Sequence, residues 1–89
     1  MEIVMKIKFY SDSGHGWGAV KRKVLVELGV LDKITPYSYQ KGNTVYLEED
    51  QDMSTFLTAL STRRGDSATY TVKYTNGRHP IRSYESFKA

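Results

Sequence analysis

Cysteine is absent from all 89 positions, which removes disulfides, thiolate nucleophiles and cysteine-type zinc sites in one step. Stability has to come from packing. No run of about 18 apolar residues is present to span a membrane, and the opening Met1-Glu2-Ile3-Val4-Met5-Lys6 lacks the charged-then-apolar plan of a signal peptide, so a cytoplasmic protein is expected. Histidine is scarce: His15 and His79 have no helical metallohydrolase spacing between them or with a carboxylate, and no metal site is expected. A strong excess of one charge is also missing. The net charge is +3, and although the pI of about 9.2 reaches the range of nucleic-acid binders, the clustered stripe of Lys and Arg that should accompany it is not there.

Charge is nevertheless distributed unevenly. Residues 48–52 carry four acids and no base, whereas residues 53–89 carry six bases (Arg63, Arg64, Lys73, Arg78, Arg82, Lys88) against Asp66 and Glu85. A chain of this size buries about two thirds of its unfolded surface, enough for one core. The expected organisation is a single α+β domain over 1–77, with 78–89 a strand or tail packed on it.

Ile3, Met5, Ile7 and Phe9 alternate with Val4, Lys6, Lys8 and Tyr10, the period of a strand with one buried face. Ser11 to Gly16 is rich in glycine and short polar residues and reads as a loop. From Trp17, Val20, Val24 and Leu28 recur every fourth residue with Leu25 beside them, which predicts an amphipathic helix closed by Gly29. Pro36 precedes a hairpin in which Tyr37 and Tyr39 share a face, Lys41-Gly42-Asn43 turns, and Val45 and Leu47 point inward. Asp50 or Asp52 is then expected to cap a second helix with the apolar stripe Met53, Phe56, Leu57 and Leu60, ended by Arg63, Arg64 and Gly65. Ala68 to Tyr74 alternates as a further strand, and Asn76-Gly77 marks a turn. Pro80 argues against a central strand beyond it.

Strand, helix, strand, strand, helix, strand is the βαββαβ order of ferredoxin-like, split βαβ sandwiches. It predicts an antiparallel sheet with both helices on one face. The other face would be open and would display Lys6, Lys8, Tyr10, Tyr46, Thr69, Thr71 and Lys73.

No catalytic signature appears. Ser13-Gly14-His15-Gly16-Trp17-Gly18 lacks the ending of a phosphate loop and the spacing of a dinucleotide fingerprint, so no cofactor is expected. It reads more plainly as a turn with Trp17 anchored on the core. His15, exposed among glycines, is the one residue on which an enzyme reading could rest. The acidic run does not match a calcium loop. One aspartate suffices as a cap, which leaves Glu48, Glu49 and Asp50 as a patch able to meet a basic surface, beside the aromatic area of Tyr37, Tyr39 and Tyr46. On the open face, Lys6, Lys8, Tyr10, Tyr46 and Lys73 offer the alternative of phosphate contacts with base stacking, although the sheet-binder consensus motif is missing and Glu48 shares the face of Tyr46. In the tail, Ile81, Tyr84 and Phe87 can either pack back on the core or join Arg82 in a binding surface.

Gly14-His15-Gly16-Trp17, Glu27-Leu28-Gly29-Val30 with Asp32-Lys33-Ile34, Tyr37-Ser38-Tyr39-Gln40 and Val45-Tyr46-Leu47-Glu48-Glu49-Asp50, followed by Arg82-Ser83-Tyr84, together resemble a family of small accessory proteins encoded by bacteriophages and other mobile elements. The resemblance runs over most of the chain in matching order. It implies a setting in the cytoplasm of a bacterial host and action by binding: such proteins block or redirect a host factor, including nucleases of bacterial immunity such as CRISPR effectors. It brings no catalytic residues. The expectation is therefore a non-catalytic accessory protein that binds a host protein through Tyr37, Tyr39, Tyr46, Glu48, Glu49 and Asp50, in the manner of an anti-CRISPR inhibitor, with homodimerisation left open. The alternative is a nucleic-acid binder using the open face.

Overall fold

A computed structural model describes residues 3–89; Met1 and Glu2, on which the reading of the chain start partly rests, lie outside the described residues. The first strand, β1 (Val4–Ser11), forms as its alternation requires, with Ile7 buried and Met5 and Phe9 packed against the core while Lys6 and Lys8 are exposed.

The next segment corrects the sequence reading. Gly16–Lys21 is not the start of a helix but a second strand, β2, paired antiparallel with β1 from Lys8↔Ala19 to Ser11↔Gly16. The physical reason lies in Gly16-Trp17-Gly18-Ala19-Val20. Two glycines weaken a helix there, and Trp and Val favour a strand. The helix α1 is confined to Arg22–Glu27, where Leu25 is buried, with Leu28 buried just beyond it. Val20, which completed the period of four, belongs to the inward face of β2. Gly18 is closely approached: a Cβ on it would overlap the Met53 sulfur, so the Met53 side chain would have to shift.

A 3-10 turn at Leu31–Lys33 leads to the hairpin of β3 (Tyr39–Lys41) and β4 (Thr44–Glu48), paired antiparallel from Tyr39↔Tyr46 to Lys41↔Thr44. Helix α2 (Gln51–Arg64) follows and ends on Gly65 in the left-handed region at φ 66°. Strand β5 (Ser67–Tyr74) then pairs with β1, and a 3-10 turn at Pro80–Ser83 precedes β6 (Glu85–Ser86), which pairs antiparallel with β3.

The six strands form one open, mixed sheet in the order β5-β1-β2-β4-β3-β6. The expected all-antiparallel sheet is corrected at one edge, where β5 runs parallel to β1 from Val4↔Ser67 to Ser11↔Tyr74. Strand directions explain why. Antiparallel steps from β1 to β2 and from β2 to β4 leave β4 parallel to β1. Helix α2 then carries the chain back as a crossover, so β5 re-enters with the direction of β4. The element order β2-α1-β3-β4-α2-β5 is compatible with a ferredoxin-like fold, with β1 lying between β2 and β5.

Both helices pack on one face of the sheet. Ile7, Val20, Val45 and Leu47 from the strands meet Leu25 of α1 and Leu28 just after it, Met53, Phe56, Ala59 and Leu60 of α2, and Phe87 of the C-terminal segment. No helix among the described residues is long and apolar enough to cross a membrane.

A candidate partner-binding pocket

The sheet face away from the helices is not open along its whole width. Register places Lys6, Lys8 and Tyr10 of β1, Trp17 of β2, Tyr46 and Glu48 of β4, Tyr39 of β3 and Thr69, Thr71 and Lys73 of β5 on that face, as the alternation predicts for Lys6, Lys8, Tyr10, Tyr46, Thr69, Thr71 and Lys73. Residues 79–84 then cross it. Ile81 is 1% exposed and Trp17 only 3%. The His79 ring lies 5.4 Å from that of Tyr10 and 6.2 Å from that of Trp17, and the Tyr84 ring lies 5.3 Å from that of Tyr46. Trp17 is thus anchored in a small second core made by the chain's own C-terminal segment, and Ile81 and Phe87 pack back on opposite faces of the sheet.

Asp12 holds this crossing in place. Its carboxylate, with no side-chain surface exposed, accepts hydrogen bonds from the amides of Gly14 and His15 in its own loop, from the His79 amide, and from Nε and Nη2 of Arg82 at 2.7 and 2.8 Å. The Arg82 guanidinium beside it, aided by the His79 amide, holds the Asp12 carboxyl well below the usual carboxylate range, and Asp12 in turn raises Arg82. Arg82 also lies over Trp17, 5.6 Å from the ring centroid. The sequence marks half of this device: Asp12-Ser13-Gly14 is a turn that an aspartate can cap. Nothing local marks Arg82, seventy positions away, as its partner.

The acidic run divides in a way the sequence reading does not anticipate. Glu48, not Asp50 or Asp52, caps α2: its Oε1 accepts the amides of Gln51 and Asp52, and its Oε2 accepts the Asp50 amide. The longer side chain reaches forward from the last residue of β4 to the free N–H groups of the first turn. Asp52 is wholly buried. It accepts from the Thr35 amide, from Thr35 Oγ1 at 2.7 Å and from Ser38 Oγ at 2.5 Å, and Ser38 Oγ accepts from the Glu48 amide. These bonds fasten the segment 35–38 to the start of α2. Glu49 and Asp50 are left exposed, and among the described residues neither enters an ion pair.

Together these fastenings build a pocket of about 250 Å³ lined by His15, Gly16, Trp17, Tyr37, Tyr39, Glu48, Glu49, Asp50 and Arg82. It gathers five of the six residues singled out for partner binding. Tyr37 is 75% exposed at its edge, and Tyr39 meets Trp17 edge-on at 6.1 Å. The sixth, Tyr46, is outside: its ring sits between Tyr10 and Tyr84 at 6.2 and 5.3 Å, and burial, then the neighbouring tyrosines, pushes its hydroxyl pKa up.

Of the residues considered for nucleic acid, Lys6, Lys8 and Lys73 are exposed on the uncovered part of the face. Tyr10 and Tyr46 are half-buried, with the rings of His79 and Tyr84 of the C-terminal segment 5.4 and 5.3 Å from theirs. The charge left free in the pocket is negative. Arg82 is already neutralised by Asp12, Glu48 is occupied by amides, and Glu49 and Asp50 face solvent beside an aromatic wall. Comparison with protein-family models, with curated proteins and with solved structures gives no match for the chain, so the pocket's own geometry carries the functional reading.

Proposed function

We propose that this protein is a non-catalytic binding module whose pocket takes a basic side chain, Lys or Arg, from the surface of a partner protein. The observation that carries it is the pairing of two unpartnered carboxylates, Glu49 and Asp50, with the exposed ring of Tyr37 and the walls of Tyr39 and Trp17. A cation seated there gains ion pairing and ring contact at once, and Tyr37 supplies rigid contact area. In the setting implied by the family resemblance, the partner is a host protein, and capture of a basic surface on a defence nuclease would make the chain an anti-CRISPR-like inhibitor. The same reading treats the fold as a ferredoxin-like sandwich with β1 added between β2 and β5.

The test has two arms. A pull-down from host lysate compares the wild type with Glu49→Lys/Asp50→Lys and with Tyr37→Ala, none of which alters a described structural bond of these side chains. In parallel, Trp17 fluorescence follows titration with capped arginine, lysine and norleucine. Loss of capture in both variants, and a response to the cations but not to norleucine, is expected. Unchanged capture, or an equal response to norleucine, removes the pocket from the proposal.

A second reading rests on Lys6, Lys8 and Lys73, exposed together with no acid among the residues paired to them in β1 and β5. As a phosphate-binding surface it requires low-salt binding to DNA or RNA that falls steeply with added salt. No retardation of either at low salt ends this reading.

A further inference from the structure

We propose that the outer edge of β5 is a self-pairing edge, through which two copies join their sheets antiparallel about a two-fold axis at Thr71.

β5 ends the sheet, and among the described residues no segment pairs with its outer edge. Proteins usually blunt such an edge with proline, a bulge, several charges or a short strand. Ser67–Tyr74 has eight residues, no proline and one charge, Lys73, and it stays in register with β1 without interruption. The side chains it shows on the helix side are apolar: Tyr70 is 44% exposed, Val72 64% and Tyr74 60%. Tyr70 and Val72, with Phe9, Met53 and Leu57, line a shallow, mainly apolar groove beside α2 that also has Glu49 in its lining.

The edge is complementary to itself. The amides of Ser67 and Thr75 donate inward, to the carbonyls of Ile3 and Ser11. Strand alternation therefore turns the amides and carbonyls of Ala68, Tyr70, Val72 and Tyr74 outward. These residues are symmetric about Thr71. An axis at that position pairs Tyr70 with Val72 of the copy and Ala68 with Tyr74 of the copy, so that all of them find partners.

The side chains agree with this register. An aromatic meets a β-branched residue and a large residue meets a small one, both favourable cross-strand pairs, and Lys73 faces Thr69 instead of its own copy. A dyad at Tyr70 would instead set Tyr74 against Asp66, whose carboxylate is already engaged by the Ile3 amide. Tyr70, Val72 and Tyr74 together offer on the order of 300 Å² of side-chain surface per copy. With the strand backbone this stays below the roughly 800 Å² per partner of standard interfaces, so the dimer is a weak one that forms only as the concentration is raised.

Because the chain has no cysteine, the register can be tested by cross-linking. Across the dyad the two residues at 71 form a non-hydrogen-bonded pair with Cα atoms about 4.5 Å apart, within disulfide range. Thr71→Cys is expected to form a disulfide-linked dimer at least about tenfold faster than Thr69→Cys, whose opposite residue is Lys73. Sedimentation of the wild type from about 1 to about 300 μM should show monomer converting to dimer. Val72→Pro, which removes an outward amide only, and Thr71→Lys, which sets like charges across the axis from a solvent-facing position, should both remain monomeric. A wild type that stays monomeric throughout, equal cross-linking at 69 and 71, or a dimer that survives Thr71→Lys overturns the proposal.

Discussion

Replacing Asp52 by alanine tests how the pocket is held. Asp52 is wholly buried, and Ser38, whose hydroxyl donates to it, is 0% exposed. The substitution removes the acceptor for the Thr35 amide, the Thr35 hydroxyl and the Ser38 hydroxyl. Hydrogen bonds to a charged group contribute about 1.5–3 kcal/mol each, and a buried donor left without an acceptor costs about 1–3 kcal/mol. Because the three donors share one carboxylate, these figures do not add, and the expected loss is about 4 kcal/mol from a domain whose total stability is of order 5–10 kcal/mol. Trp17, the sole tryptophan, is 3% exposed and reports unfolding. Urea titration should show a lower midpoint with an unchanged slope, and a melting temperature lowered by roughly 15–30 °C. Asp52→Asn, which keeps the shape and one acceptor oxygen, should cost about 2 kcal/mol and speed amide exchange at Thr35. A loss below about 1 kcal/mol for the alanine variant would refute the claim that Asp52 fastens the segment bearing Tyr37.

Three other perturbations probe the remaining fastenings. Gly18→Ala forces a methyl group onto the Met53 sulfur and should cost about 1–3 kcal/mol by urea titration, with part of the loss recovered when Met53→Ala is added. Ile81→Ala should cost about 2–4 kcal/mol and shift Trp17 emission to the red, since the C-terminal crossing covers that ring; an unchanged midpoint would make the crossing a loose tail. The Asp12 carboxyl, held down chiefly by Arg82 from an ordinary value of 3.8, has its folded pKa below its unfolded one. Its contribution is therefore complete above about pH 4 and declines as the pH falls further. Asp12→Asn should flatten the stability profile below about pH 4, and a profile as steep as that of the wild type would contradict the assignment.

The legible parts of the chain were those whose signal is local. β1, the hairpin around Gly42, α2 and β5 each carry their own period, and one-face alternation placed Lys6, Lys8, Tyr10, Tyr46 and Lys73 on a common face. β2 was misread because Val20, Val24 and Leu28 fit a period of four while serving two elements: Val20 faces the core from a strand, and the other two follow from Arg22 onward. No single-segment pattern separates those cases. The mixed sheet followed from that extra strand. Five of the nine lining residues stand close together in the sequence, at 37, 39 and 48–50, but the construction of the pocket was not legible, since the bonds from Asp12 to Arg82 and from Asp52 to Thr35 join segments that only the folded chain brings together.

Glu48, Glu49, Asp50 and Asp52 show how that construction sharpens the functional argument. Sequence reasoning assigns one aspartate to the helix and treats the remaining acids as surplus. In the fold, Glu48 and Asp52 are consumed, one by the free amides of α2 and the other by Thr35 and Ser38. Charge reversal at Glu48 would therefore act through the helix and say little about binding. Glu49 and Asp50 lie between these anchored acids, and the Asp50 amide itself donates to Glu48. The proposed capture of a cation would gain from this arrangement, because carboxylates on a mobile loop would lose ordering entropy on every capture. Thus Asp52→Asn, which leaves both exposed acids in the sequence, should weaken capture of a basic partner, whereas Lys substitutions at 49 and 50 should abolish capture at a stability cost of no more than about 1–2 kcal/mol, set by the positive charge they bring to the start of α2. If Asp52→Asn binds as tightly as the wild type, preorganisation is not what the two buried fastenings provide.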